Sequence, residues 1–308
     1  MVTIVILPHA QGEHTMIRLD SSQVAEAKRQ LESRRSILVR LANDPSVEMD
    51  DLDRTEIIKY LANGLRPEQP SDIPSLMRSF IKSCYTYSVL RKYGTRVLGQ
   101  IPTPGTIGLL LEMVFAESSF LDDETWYPKN LYAVAMNIQR QMQFDLTSNQ
   151  PMPRMLRVML DGSKEMAKRL ASGLQPFYEL IEQVSASSPE AMWKFVVNFA
   201  KPIYNVGPAL ICDFIKEIGF VRFVKVDHHF LGQFKGLFGG YEDCRHLSNK
   251  RHFLLSQWLA DAVEIEPYYL DRILYEWGRY GFQLSNYGRS SRQQLALTCQ
   301  PAADLFLD

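Results

Sequence analysis

Two apolar helical segments that meet at a very short turn constrain the fold more than any other feature of this chain. Residues 189–203 carry apolar side chains at the spacing of one helix face, and residues 209–219, ALICDFIKEIG, form a second apolar segment. Only NVGP separates the second segment from Tyr204, so we predict a sharp turn between two helices. The spaced apolar residues of the first segment are Met192, Phe195, Val196, Phe199 and Ile203.

The residues of the turn predict its backbone. Gly207 can adopt a positive φ and lets a ligand approach the backbone closely. Asn205 is the next most tolerant residue for the left-handed conformation, and Pro208 suits the first turn of a helix, where no N–H is needed. Such a turn directs the N–H groups of a helix N-terminus toward solvent, which is an arrangement that binds phosphate.

An aspartate follows the second helix at a fixed distance. Gly219 is a natural helix end, and residues 220–226 are a mainly apolar connector. Asp227 then stands before a further helical segment, HHFLGQFKGLFGG. An aspartate in that position is most often an N-cap, and the alternative is a carboxylate that is held rigidly for chemistry.

The rest of the chain predicts a mostly α protein with a small β element at its front. Residues 3–7 and 15–19 alternate like two short strands around a polar turn. Nearly all later segments have helical periodicity, and Pro and Gly interrupt them often. The predicted helical segments span 21–42, 51–64, 70–94, 102–120, 128–143, 153–159, 162–184, 188–202, 209–218, 228–238, 250–262 and 267–280.

Composition and charge exclude several classes. The formal net charge of −1 gives no global attraction to nucleic acid, so any phosphate contact must be local. The apolar runs are too short and too interrupted to span a bilayer, and residues 1–14 lack the basic start and cleavage site of a signal peptide. The four cysteines have no CxxC spacing, which argues against zinc and iron–sulfur sites and favours a cytoplasmic protein.

The order of turn, helix, connector and aspartate resembles the helix-hairpin-helix DNA glycosylase superfamily. Its members carry a hairpin of the form L-P-G-V-G-x-K-T-A, and a V-D-T-H-V segment with the catalytic aspartate follows. Here the hairpin reads IYNVGPALI and the later segment VDHHF, and LDRILYEWGRYGF resembles the helix that closes the family's domain. The resemblance covers residues 104–282 and is specific over 203–230.

The resemblance implies a two-lobed helical fold and a catalytic role for Asp227. It places the family's first hairpin glycine at Asn205 and the second at Gly207. The lysine nucleophile of bifunctional members corresponds to Ala209, which cannot form a Schiff base. Tyr204 replaces the family's proline, and the cluster cysteines of some members are absent.

On this basis we divide the chain into three parts. Residues 1–100 hold the β-hairpin and helices of unassigned role, residues 101–284 are the glycosylase-like region, and residues 285–308 are a polar tail.

A second carboxyl group is expected to assist the leaving base. Glu112 lies inside the apolar segment GLLLEMVFAES, where desolvation would raise the pKa of its carboxyl group. Its setting is similar to the acid-bearing helix of adenine-excising members. Glu117, five residues later, is the alternative, and a solvated surface position for Glu112 is equally compatible with the sequence.

The remaining candidate residues would hold the DNA. A base that has left the duplex would be received by aromatic side chains, although each of these is more often a core residue. The amides of the hairpin and nearby lysines would contact phosphates. Predicted pocket residues are Trp126, Tyr127, Tyr204, His228 and Trp277, and predicted DNA contacts are Asn205, Val206, Gly207, Ala209, Lys201 and Lys225.

The sequence therefore predicts a monomeric, monofunctional DNA glycosylase without lysine-dependent lyase activity. We expect it to bind DNA, not a membrane, and to require neither a cofactor nor a bound metal. The resemblance alone suggests a monovalent cation at the hairpin. The excised base is left open, and a bulky modified base of phage DNA is one candidate, which would make the protein an antiviral enzyme. A non-catalytic helix-hairpin-helix DNA-binding protein is the alternative.

Overall fold

The computed structural model describes residues 2–8, 14–47, 49, 51–84, 151–237 and 248–283. Two compact units are present, each with its own core. The first unit combines residues 1–66 with residues 224–308, and the second holds residues 67–223. The polypeptide thus leaves the first unit after Arg66 and returns to it at Val224.

The first unit begins with an antiparallel pair of strands. Strand β1 (Val2–Pro8) pairs with β2 (His14–Asp20), with Val2 opposite Asp20 and Pro8 opposite His14. The long helix α1 (Ser21–Asn43) starts directly after β2. Its buried residues Ala27, Leu31 and Leu38 recur at helical spacing, so one face of α1 lies in the core.

The other helices of the first unit pack around its last helix. Helix α2 (Asp51–Glu56) continues into a π-helical segment, Ile57–Ala62. Helices α8 (His228–Leu237) and α9 (Asn249–Ala262) come later in the chain. Helix α10 (Pro267–Gln283) contacts α1, α8, α9 and the π-helical segment.

Helix α10 carries charged side chains into this core. Arg272 is 5% exposed and Glu276 is 1% exposed. The Arg272 guanidinium pairs with Glu56, lies 3.5 Å from the Glu276 carboxylate and stands over the ring of Tyr60 at 5.1 Å. A buried guanidinium is tolerated because carboxylates and an aromatic face surround it.

The second unit consists of five described helices. They are α3 (Ile73–Cys84), α4 (Pro151–Arg169), α5 (Leu174–Ser185), α6 (Pro189–Ala200) and α7 (Pro208–Glu217). Helix α7 packs on α3 and α6, and α5 packs on α6.

Three phenylalanines from different helices form the centre of the second unit. The ring centroid of Phe80 lies 5.2 Å from that of Phe214 and 6.4 Å from that of Phe199, and the last two rings are 6.2 Å apart. Gly162 of α4 lies against Phe80, so that an added Cβ would come within 2.6 Å of the ring. Helices α3, α4, α6 and α7 therefore meet at this cluster.

The prediction of a mostly α protein is confirmed. Two helix boundaries were predicted wrongly. The sequence predicted a break between 153–159 and 162–184, whereas α4 is continuous from Pro151 to Arg169, and it predicted no break inside 162–184, whereas α5 begins at Leu174. The Gly173 N–H donates to the Leu170 carbonyl and closes the turn between them. The predicted division points near residues 100 and 284 lie outside the described residues, as does the predicted helix 128–143, so these remain predictions. None of the described helices is long and apolar enough to cross a membrane.

The two glycines that flank α7 give a matched test of this backbone. Gly219 has φ +97° after α7, and an added Cβ would lie 3.1 Å from the Pro67 carbonyl oxygen. Gly207 has φ −97° before α7, and an added Cβ would meet nothing within 4 Å. We expect Gly219→Ala to lower the free energy of unfolding by about 1–2 kcal/mol. Gly207→Ala should leave it unchanged or raise it by up to ~1 kcal/mol.

Urea unfolding followed by circular dichroism measures both changes. Equal losses in the two variants would contradict the positive-φ assignment at Gly219.

Candidate functional site

The predicted hairpin between two helices is present in the second unit. Helix α6 starts at an N-cap, Ser188, whose hydroxyl accepts from the Ala191 N–H at 3.3 Å. After Ala200 the chain turns through two backbone hydrogen bonds, Ile203 N–H to the Ala200 carbonyl and Val206 N–H to the Ile203 carbonyl. Ile203 and Val206 are buried, so apolar side chains fix the turn to the unit.

The left-handed residue of the hairpin is Asn205. Its φ is +57°, and its side chain is exposed. Gly207, by contrast, is extended, with φ −97° and ψ 169°. The expectation that Gly207 supplies a positive φ is therefore wrong, because the left-handed residue lies two positions earlier and Gly207 serves as the N-cap residue of α7. The first hairpin position of the resemblance, Asn205, is the one with the glycine-like backbone.

The hairpin presents donors that the described protein leaves unused. Pro208 has no N–H, and within the described residues the N–H groups of Gly207 and Ala209 meet no acceptor. The first intrahelical donor is the Leu210 N–H, which reaches the Gly207 carbonyl at 3.0 Å. Lys201 is exposed at the other end of the turn. Amide donors at a helix N-terminus and a nearby cation favour an anion.

Tyr204 is fixed to helix α4 by two contacts. Its N–H donates to Asp161 Oδ2 at 3.1 Å, and the Arg157 guanidinium carbon lies 3.2 Å from the centroid of its ring. One face of the half-buried ring is therefore covered by Arg157. That face is closed to the base stacking that the sequence suggests for Tyr204.

Asp227 acts as the N-cap of α8 in the first unit. Its Oδ1 accepts from the Phe230 N–H at 3.0 Å, and its carbonyl accepts from the Leu231 N–H at 2.8 Å. The side chain is 17% exposed. A carboxylate in this position is well ordered and gains from the helix dipole, and it retains a limited path to solvent.

Lys225 lies beside that carboxylate. Its Nζ is 3.8 Å from Asp227 Oδ2 and 5.5 Å from the centroid of the Tyr275 ring, and its side chain is only 10% exposed. A lysine this buried, with a carboxylate and an aromatic face around it, does not fit the surface phosphate contact that the sequence suggests for it. Its position instead makes it a neighbour of Asp227.

The other predicted site residues belong to the first unit or lie outside the described residues. Trp277 lies half-buried on α10 in the first unit, and the Arg34 guanidinium stands 5.6 Å from the centroid of its ring. His228 is the first residue of α8, and the role of its side chain stays a prediction. The structure thus assigns Asp227, Lys225, His228 and Trp277 to the first unit and the hairpin residues to the second. Glu112, Glu117, Trp126 and Tyr127 lie outside the described residues.

Among the described residues, no group of three His, Cys, Asp or Glu side chains stands in an arrangement that could hold a metal ion. A monovalent cation at the hairpin would need several carbonyl oxygens, and those of Ile203 and Gly207 also accept hydrogen bonds inside the turn. The cation at the hairpin stays a prediction.

Sequence reasoning missed Arg157 and Asp161, which secure the hairpin. They precede Tyr204 by more than 40 residues, and an Arg and an Asp four positions apart on a helix are usually taken as an intrahelical pair. The polarity of α4 was the only signal available, and it does not indicate which partner these side chains contact.

Comparison with protein-family models, curated proteins and solved structures gives no match to this chain. The resemblance to helix-hairpin-helix glycosylases rests on the residues of 203–230.

The contribution of Asp227 to the stability of the fold can be measured separately from any contribution to catalysis. We expect Asp227→Ala to lower the free energy of unfolding by about 1 kcal/mol, because the Phe230 N–H loses its acceptor. Asp227→Asn and Asp227→Ser each retain a capping oxygen, so their losses should be smaller. Thermal and urea unfolding of the three variants gives the order. An alanine variant as stable as the wild type would contradict the capping role.

Proposed function

We propose that this protein is a monofunctional DNA glycosylase of the helix-hairpin-helix class. The observation that carries the proposal is the hairpin itself, with Asn205 at φ +57° and the N–H groups of Gly207 and Ala209 meeting no acceptor in the described residues. A turn of this kind suits a DNA backbone, since it offers main-chain donors at a helix N-terminus.

Phosphate contact by the hairpin would be local and independent of sequence. The turn offers main-chain donors and the exposed Lys201, and neither distinguishes one base from another. The formal net charge of −1 supplies no general attraction to DNA. Affinity would therefore come from a small number of contacts, with a correspondingly modest salt dependence.

Asp227 is the proposed catalytic carboxylate. Breaking the N-glycosidic bond builds positive charge on the sugar, and an anion held nearby stabilises it. Water would then add to C1′, its proton would pass to a base such as Asp227, and the excised base would leave with the bonding electrons and a proton. The capping bond to Phe230 would keep the carboxylate in one position during these steps.

The protonated group that assists the leaving base is proposed as Glu112, with Glu117 as the alternative. The substrate class stays open among oxidised, deaminated, mismatched and alkylated bases and a bulky modified base of phage DNA. The residues ahead of the glycosylase-like region would shape the pocket for that base. A cytoplasmic monomer remains the expected form.

A non-catalytic DNA-binding protein is the second candidate, and one observation favours it. Asp227 caps α8 and lies beside Lys225, so its presence has a structural reason that needs no catalysis. The hairpin would be kept in both cases. Base release, not DNA binding, therefore decides between the two.

The deciding measurement is abasic-site formation by the wild type and by Asp227→Asn. The amide keeps the capping oxygen and loses the charge, so we expect base release to fall by about a hundredfold or more while DNA affinity is retained. Mass spectrometry of bases released from damaged, genomic and modified phage DNA identifies the substrate. Asp261→Asn, an exposed carboxylate of the first unit, is the matched control and should be fully active.

Wild-type turnover in Asp227→Asn would remove Asp227 from the chemistry. An absence of base release from every DNA, with DNA binding intact, would favour the non-catalytic candidate.

Ala209 gives an independent test of the monofunctional type. Because alanine has no amine, water must be the attacking group, and the product should be an abasic strand that breaks only after alkali or heat. We expect no covalent adduct when the reaction is run with borohydride. Efficient trapping by the unmodified protein would show that another amine attacks the sugar and that the monofunctional assignment is wrong.

A further inference from the structure

Arg157 of helix α4 stands over the Tyr204 ring of the hairpin. Its guanidinium carbon is 3.2 Å from the centroid of the Tyr204 ring, and one helical turn later Asp161 accepts the Tyr204 N–H. Helix α4 thus contacts the hairpin through two side chains of opposite charge, Arg157 and Asp161. The Asp161 carboxylate accepts a hydrogen bond from a main-chain N–H, whereas Arg157 contacts only the face of the Tyr204 ring.

The N–H groups of Arg157 have no acceptor among the residues that the structure describes. Its contact with Tyr204 is through the ring face, and no carboxylate or carbonyl of the described chain pairs with it. A second stacked arginine in the same unit differs in this respect. Arg169 lies 3.7 Å from the Phe199 ring centroid, but it also pairs with Glu165 at 2.7 Å.

Arg169 is therefore a structural arginine with a carboxylate partner, whereas the N–H groups of Arg157 are available to a ligand. Burial lowers the pKa of Arg169, and Glu165 opposes that change by neutralising its charge. Arg157, by contrast, forms no ion pair with a carboxylate of the described residues. A guanidinium that contacts a ring through its face keeps its edge N–H groups available, and these can bind a phosphate through two parallel hydrogen bonds.

We propose that Arg157 binds a backbone phosphate of nucleic acid beside the hairpin, with Tyr204 as the platform that holds it. Tyr204 then serves to position an arginine, in place of the base stacking that its sequence suggests. A guanidinium already fixed on a ring loses little freedom on binding, so its contribution to affinity is larger than that of a mobile lysine. The proposal deepens the proposed function, because it rests on DNA being the ligand.

The test is the salt dependence of binding to a short duplex of mixed sequence, with the full-length protein. Arg157→Gln should weaken binding about tenfold at low salt. It should also reduce the slope of log affinity against log salt by about 0.9, the value for one lost phosphate contact on duplex DNA. Arg157→Lys keeps the charge and should keep the slope with an intermediate affinity. Lys194→Gln removes an exposed positive charge from α6 and is the matched control, with affinity and slope near those of the wild type.

Variants of Tyr204 test the platform separately. Tyr204→Phe keeps the ring face and should bind like the wild type, whereas Tyr204→Leu should weaken binding without removing the Arg157 charge. If Arg157→Gln does not fold, Arg157→Lys and Tyr204→Leu decide in its place. A folded Arg157→Gln variant with unchanged affinity and slope overturns the proposal and leaves Arg157 as a purely structural contact.

Base release by the same proteins distinguishes this inference from the proposed function. If the wild type binds DNA with the Arg157-dependent slope but releases no base, the glycosylase proposal fails and the role of Arg157 stands. If the wild type releases bases and Arg157→Gln keeps the full slope, only the role of Arg157 fails. A wild type that binds no DNA at low salt overturns both.

Discussion

The contact among Phe80, Phe199 and Phe214 is the interaction on which the second unit depends. Each ring comes from a different helix, and each lies against the other two. Phe199 fixes α6 and Phe214 fixes α7 in this shared core, and the short turn between the two helices is held in one conformation as a result. The exposed part of the hairpin needs no rigidity of its own, since buried Ile203 and Val206 connect it to the same core.

The sequence predicts local features well where one residue type has one physical reason to be there. Apolar spacing and Pro208 locate the two helices and the turn, and Gly219 marks the end of α7 at φ +97°. Which residue of NVGP becomes left-handed was not predictable from propensity alone, because Gly207 tolerates both signs of φ and the packed ends decide. For the same reason, the sequence did not locate the break between α4 and α5 that precedes Gly173.

Asp227 shows why a site is harder to predict than a helix. A carboxylate before a helix satisfies a capping rule and a catalytic pattern with the same atoms, so the pattern alone cannot separate them. The burial of Lys225, in turn, depends on Tyr275, fifty residues later in the chain, and no local signal reports that contact. Long-range partners of this kind are fixed by packing, and they determine what a charged residue can do.

The buried charges of α10 have a consequence for how this chain can vary over evolution. Arg272 meets Glu56 from a distant part of the sequence and Glu276 from its own helix, with the ring of Tyr60 beside it. Loss of Glu56 alone would remove one of the two carboxylates that face Arg272, and loss of Arg272 alone would leave the carboxylates of Glu56 and Glu276 without the guanidinium between them. Substitutions at positions 56, 272 and 276 should therefore occur together among descendants of this chain, as a linked change that a relative can adopt only in compensating steps.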